Sequence, residues 1–233
     1  MTLAEPAPAV SAPASPIDLV LCYDYQCPYS ARAVRWLEAL GPAIVRPRYR
    51  MFPLEQVNVD PTATTWRLWE QPLDYAHHRG RQDRRSLAAF VVTAIVEELA
   101  SDGRVASEAV PAFRLGVYRA RFDEGLDITD EEILRAIAID AGAPAGDLDG
   151  ALADGAAVER ARVRIAEDWA ASRARAAVFG VPTLILPDDQ PLYMRIAREP
   201  SGDEALDLLR RIVELRRTVP WLLELKLVEA AAS

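Results

Sequence analysis

The sequence predicts an α/β fold in which a small sheet is split by a large all-helical insertion. Three observations carry this. A nearly continuous apolar run, Ile17 to Tyr23, leads into an amphipathic helical stretch ending at Leu40. From about Val57 to Ala177 the apolar residues recur at helical spacing. Two short strand-like runs and a final amphipathic helix then follow, before Pro220.

In chain order, Ile17-Asp18-Leu19-Val20-Leu21-Cys22-Tyr23 reads as a strand buried on both faces. Ala31 to Leu40 is helical, with Ala33, Val34, Leu37 and Leu40 on one stripe and Gly41-Pro42 as the stop. Ile44 to Met51 alternates. Val45, Pro47, Tyr49 and Met51 lie on one face, and Ile44, Arg46, Arg48 and Arg50 on the other. Pro47 cannot donate to a ladder, which assigns this strand to an edge.

The expected helices of the insertion are Thr64–Glu70, Ser86–Ala100, Ser107–Phe122, one opened by a capping box at Thr129-Asp130-Glu131-Glu132, and Ala156–Ala177. Thr183–Leu186 and Leu192–Ile196 read as a hairpin around Pro187 to Pro191. Ser201-Gly202-Asp203-Glu204 is a second capping box, opening a helix that Pro220 breaks. The expected division is a leader over 1–16, a core over 17–56 and 178–219, an insertion over 57–177 and a tail helix over 220–233.

The chain has 233 residues with a formal charge of −8. That balance argues against general nucleic-acid or anionic-membrane binding. The Ala/Pro/Ser-rich start lacks a basic n-region and an apolar h-region, and no run is long enough to span a bilayer. A cytoplasmic location is expected, where thiols stay reduced.

The chemistry centres on Asp24-Tyr25-Gln26-Cys27-Pro28-Tyr29-Ser30. Pro28 suits the first turn of a helix, which puts Cys27 at the helix N-terminus. Free amides and the positive dipole end favour a thiolate there, so a lowered thiol pKa is expected. Ser30 stands where a dithiol enzyme carries a second cysteine. A hydroxyl cannot break a mixed disulfide, but it can hydrogen-bond the Cys27 sulfur. The plainer alternative is that Cys27 is a small buried hydrophobe. Cys22, on the strand, is expected to be structural and inert.

Other residues invite two readings each. His77 and His78 are adjacent, too few for a zinc site, and are expected as solvated loop residues; either can also donate a proton near the thiol. Trp66 and Trp69 share a helix face, as core or as a groove wall beside Cys27. Arg79, Arg81, Arg84 and Arg85 form a solvated face or a seat for the carboxylates of a small thiol. No Gly-rich phosphate loop, no nucleophile elbow and no metal cluster is evident.

Cys27-Pro28-Tyr29-Ser30 after a strand, Phe179-Gly180-Val181-Pro182-Thr183 before a strand, and Phe52-Pro53-Leu54-Glu55-Gln56-Val57-Asn58 together resemble the DsbA family of thioredoxin-fold proteins, in its cytosolic FrnE-like branch. The resemblance implies a thioredoxin-like four-stranded core sheet. It also implies a cis Pro182 facing Cys27 and a Val181 backbone that pairs with substrate. Cis bonds make up only roughly 5–6% of X-Pro bonds, so local sequence alone would not give this. More distantly, the chain is similar to kappa-class glutathione transferases and 2-hydroxychromene-2-carboxylate isomerases, which carry Ser-Pro-Tyr-Ser at that place.

Three functions follow. The first is a single-thiol disulfide oxidoreductase or isomerase using Cys27 and Ser30, with Pro28, Tyr29, Val181 and Pro182 around the substrate. The second is a kappa-like transferase or isomerase that activates a bound thiol with Ser30. The third is a non-catalytic binding protein on the same fold. No tightly bound cofactor is expected, with glutathione or mycothiol as a co-substrate, a protein or small-molecule thiol or disulfide as partner, and homodimer formation left open.

Overall fold

In the computed structural model, residues 15–59, 64–77, 80–188, 190–220 and 222 are described. The expected leader up to residue 14, His78, Arg79 and, apart from Leu222, the tail beyond Pro220 lie outside them. Strands β1 (Ile17–Tyr23), β2 (Val45–Met51), β3 (Thr183–Ile185) and β4 (Pro191–Tyr193) form one sheet in the order β2-β1-β3-β4. β1 and β2 run parallel around helix α1 (Pro28–Leu40), and β3 runs antiparallel to both β1 and β4. β2 is an edge strand, so Pro47 removes no donor from an inner ladder.

After β2 a short helix α2 (Leu54–Val57) precedes helices α3 (Leu87–Ser101), α4 (Ala109–Phe122), α5 (Glu131–Asp140), α6 (Ala145–Ala153) and α7 (Gly155–Ala176), and all of them precede β3. Ser15–Glu199 form one compact unit; the chain from Pro200 belongs to a second, whose described helix is α8 (Asp203–Thr218). Helices α4 and α5 meet so closely that a Cβ at Gly116 would stand 2.6 Å from Ile137 Cγ2, which leaves glycine as the residue that fits.

Helices and sheet share a core of buried aromatics. Tyr25 packs on Tyr23, Phe90 and Tyr118 at ring separations of 5.2, 5.6 and 5.1 Å. Arg114 of α4 is buried beside them. Its guanidinium lies 3.8 Å from the Tyr49 ring centroid and 2.9 Å from Glu97 Oε1. Burial of a charge at this cost is sustained by that pairing.

Several sequence expectations are corrected. Thr64–Glu70 is not a helix; only Leu68–Glu70 forms a 3-10 turn. Gln56 takes over the backbone groups there, its Oε1 accepting from Leu68 N at 2.8 Å. Trp66 and Trp69 consequently part company, one beside Tyr75 and the other beside Trp169. The N-cap of α5 is Asp130, whose Oδ1 accepts from Glu132 N at 2.9 Å, and not Thr129, whose hydroxyl accepts from Arg85. In the second capping box, Gly202 is the N-cap instead of Ser201, and the return contact, Ser201 N to Glu204 Oε2, forms. Helix α6 has no counterpart among the expected helices, and β4 begins at Pro191 and is shorter than the run over Leu192–Ile196.

Candidate functional site

The pairing of β3 with β1 builds the site. Cys22 stands opposite Thr183, so the residues just before Thr183 lie beside the chain leaving β1. The Val181–Pro182 bond is cis. The Cys27 thiol donates to the Val181 carbonyl at 3.4 Å, across 154 positions of sequence. Cys27 is the N-cap of α1, with an extended backbone and Pro28 in the first helical position. The sheet register and the helix start thus bring together the six residues singled out in the sequence: Cys27, Pro28, Tyr29, Ser30, Val181 and Pro182.

The turn carrying Cys27 is anchored on every side. The Asp24 carboxylate accepts from Gln26 N at 2.8 Å and from Leu54 N at 2.6 Å, joining the turn to the segment after β2. The Ser30 hydroxyl lies 3.5 Å from Asp24 N. From the insertion, Tyr118 OH donates to Asp24 O at 3.2 Å, Thr93 Oγ1 lies 2.8 Å from Tyr25 OH, and the Arg85 carbonyl accepts from Gln26 Nε2 at 2.8 Å. Asp24 is 1% exposed, and burial raises its carboxyl to about 6 against the pull of its two amide donors.

The sulfur is more enclosed than a helix-start argument implies. Cys27 is 5% exposed and belongs to an apolar cluster with Cys22, Phe52, Val178, Val181 and Ile185. Burial pushes its thiol up from the ordinary value. The Ser30 hydroxyl and the amides of Ser30 and Tyr29 pull it down, and the nearby Asp24 charge pushes it up. Desolvation wins, which corrects the expectation of a lowered pKa.

Cys22 is fully buried with its sulfur 3.4 Å from Ser172 Oγ of α7, and burial pushes its thiol up to about 11. Neither cysteine is in a disulfide. His77 is corrected from a solvated residue to a buried one, its Nε2 3.6 Å from Glu55 Oε1, which also receives support from Tyr75 through Oε2. Of the expected arginine cluster, Arg81 is exposed, Arg79 lies outside the described residues, and Arg85 donates to the carbonyls of Leu73, Tyr75 and Gln82 and to Thr129. Among the described residues, no group of three or more His, Cys, Asp or Glu is placed to hold a metal.

Sequence reasoning missed two contributors. Asp24 carries a local signal, an Asx turn three residues before the cysteine. Arg195 carries none, because only the fold brings it to Tyr29. Its guanidinium carbon lies 4.0 Å from that ring's centroid, and it donates to the Tyr29 hydroxyl.

A family model described as a DSBA-like thioredoxin domain matches residues 18–213. No curated protein matches the sequence closely enough to serve as a relative. Among solved structures, the cytosolic disulfide reductase DsbM from Pseudomonas aeruginosa with GSH superposes with a TM-score of 0.54 at 18% identity, over 85% of this chain and 100% of that one. A probable DsbA oxidoreductase from Streptomyces coelicolor gives 0.52 at 19% identity, over 93% and 95%. A 2-hydroxychromene-2-carboxylate isomerase gives 0.53 at 18% identity, over 88% and 100%. At these identities the likeness establishes a shared fold.

Proposed function

This chain belongs to the DSBA-like thioredoxin domain family, and from that premise we propose that it is a thiol–disulfide oxidoreductase or isomerase working through one sulfur, that of Cys27. The observation that carries the reading is the Cys27 thiol at the start of α1, 3.4 Å from the Val181 carbonyl, with a serine three residues on. At rest the thiol is protonated and donates to Val181. On ionisation, the Ser30 hydroxyl and the amides of Tyr29 and Ser30 hold the anion.

The thiolate attacks one sulfur of a disulfide R–S–S–R′. The Cys27–S–R bond forms, the S–S bond breaks, and R′S⁻ leaves with the electron pair and takes a proton from water. No second thiol stands at position 30, so an outside thiolate R″S⁻ attacks the mixed disulfide, forms R–S–S–R″ and returns the Cys27 thiolate. Glutathione or mycothiol fits that outside role, and a second equivalent completes reduction. A thiolate of raised pKa is a stronger nucleophile and a poorer leaving group, so the adduct is long-lived. Pro28, Tyr29, Val181 and Pro182 border the sulfur as substrate contacts. A cytoplasmic setting suits this chemistry, and among the described residues no helix is long and apolar enough to cross a membrane.

A second reading draws on the buried Ser30 hydroxyl, which can donate to the sulfur of a bound small thiol, as the likeness to an isomerase fold invites. Incubation with a disulfide probe, followed by mass spectrometry, separates the readings. One adduct on Cys27, released by added thiol and lost in Cys27→Ser, is the expected result. Glutathione or mycothiol binding that survives Cys27→Ser without any adduct favours the second reading. An unreactive Cys27 with no thiol binding leaves a non-catalytic fold.

A further inference from the structure

We propose that Arg195 and Arg32, both lying against the Tyr29 ring, form a carboxylate seat beside Cys27, so that the disulfides and thiols handled there are anionic. This rests on the single-thiol reading and names its substrate class. Tyr29 is two residues past Cys27 and packs against the same apolar cluster as the sulfur. The guanidinium carbon of Arg195 lies 4.0 Å from its ring centroid and that of Arg32 lies 5.4 Å from it. Arg195 also donates to the Tyr29 hydroxyl and Arg32 to a backbone carbonyl, and a guanidinium carries five donors in a planar fork whose geometry matches a carboxylate.

The fold fixes both groups near the thiol. Arg32 sits on the second turn of α1 and donates to the Ile196 carbonyl at 3.0 Å. Arg195 lies just beyond β4, where Met194 N donates to the Pro182 carbonyl at 3.1 Å, in the loop that faces Cys27. From Pro191 to Ile196 exposure alternates, so Tyr193 and Arg195 stand on the same open face. Tyr193 lies within electrostatic reach of both Arg195 and Cys27. Two of the large exposed hydrophobic residues, Phe179 at 63% and Tyr193 at 40%, pair there with ring centroids 5.0 Å apart. Beside the cluster that holds the sulfur stand an exposed aromatic pair and a cationic group stacked on Tyr29, in a chain whose net charge is −8. A neutral or cationic substrate gains nothing from that group; a carboxylate does.

The test measures mixed-disulfide formation at Cys27 with three probes: anionic glutathione disulfide, neutral 2-hydroxyethyl disulfide and cationic cystamine. In the unaltered protein the rate ratio of glutathione disulfide to hydroxyethyl disulfide falls as salt rises from about 0.02 to about 0.5 M, and the cystamine ratio moves the other way. Arg195→Gln lowers the first ratio about fivefold, and Arg195→Lys, which keeps the charge but not the planar fork, restores only part of it. A ratio indifferent to Arg195→Gln, or equal losses with all three probes, overturns the seat. If Cys27 reacts with none of them, the single-thiol reading fails, and the seat is judged on its own from S-methylglutathione binding to Cys27→Ser. Binding weakened about fivefold by Arg195→Gln upholds it, and absent or unaltered binding overturns it.

Discussion

Cys22 and Cys27 sit five residues apart in one apolar cluster, both nearly or fully buried and both with thiols pushed up by desolvation. They differ in what meets the sulfur. Cys22 is on a central strand and finds one hydroxyl, that of Ser172. Cys27 stands at a helix start, where a hydroxyl and two backbone amides favour its anion, next to an exposed Pro28 and a half-buried Tyr29. On the proposed reading, burial does not separate the structural thiol from the reactive one; the supply of N–H donors and the open side do.

The sharpest break of that contrast is a pair of single substitutions. Cys27→Ser is expected to lower total thiol alkylation of the native protein at pH 8 by about a hundredfold or more, because the remaining thiol is sealed. Cys22→Ser leaves most of the rate in place. Equal losses would mean that the two thiols are equivalent. In the unaltered protein the Cys27 rate keeps climbing through pH 9, as a thiol of raised pKa requires.

Asp24 belongs to the Cys27 side alone. Its carboxyl is raised to about 6 in the fold from an ordinary value near 3.8. Below about pH 4 it is protonated in both the folded and unfolded chain. Between there and pH 6 the folded chain holds the proton more tightly, so stability falls as pH rises through that window, by about 3 kcal/mol in all. Urea midpoints of the unaltered protein and Asp24→Asn, taken at several pH values, should differ by that descending step. Parallel profiles would show that Asp24 does not titrate so high.

Ser30→Cys is expected to raise insulin reduction about tenfold, since an internal thiol then resolves the adduct. No gain would mean that the site lacks more than one atom. The smallest effect is Ser172→Ala, which removes the hydroxyl that meets the Cys22 sulfur. It should cost about 1 kcal/mol in chemical unfolding and leave Cys27 alkylation unchanged. A change at Cys27 would reveal coupling between the two sulfurs through the shared cluster.

The legible parts of the molecule were those set by short stretches of chain. The apolar run before Cys27, Pro28 opening a helix and Pro47 on an edge strand follow from local stereochemistry. The juxtaposition of Val181-Pro182 with Cys27 came from resemblance to a family, since no local rule spans that distance. What local reasoning got wrong has one cause. The amides of α1 favour a thiolate, but Phe52 and Val178, arriving from elsewhere in the chain, strip water from it. Likewise His77 stays in a loop but is buried beside Glu55 instead of solvated, and Gln56 holds the segment at Trp66 extended where helical spacing predicts a helix. Arg195 was silent because it meets Tyr29 only once β4, which it follows, has paired with β3.

Tyr118, Thr93 and the Arg85 carbonyl all reach the turn that presents the sulfur, and all three belong to the stretch between β2 and β3. The helices are therefore part of the socket and not a decoration hung on the sheet. A miniature made by splicing β2 directly to β3 would keep every residue of the Cys-Pro-Tyr-Ser signature and lose three of the ties that aim it.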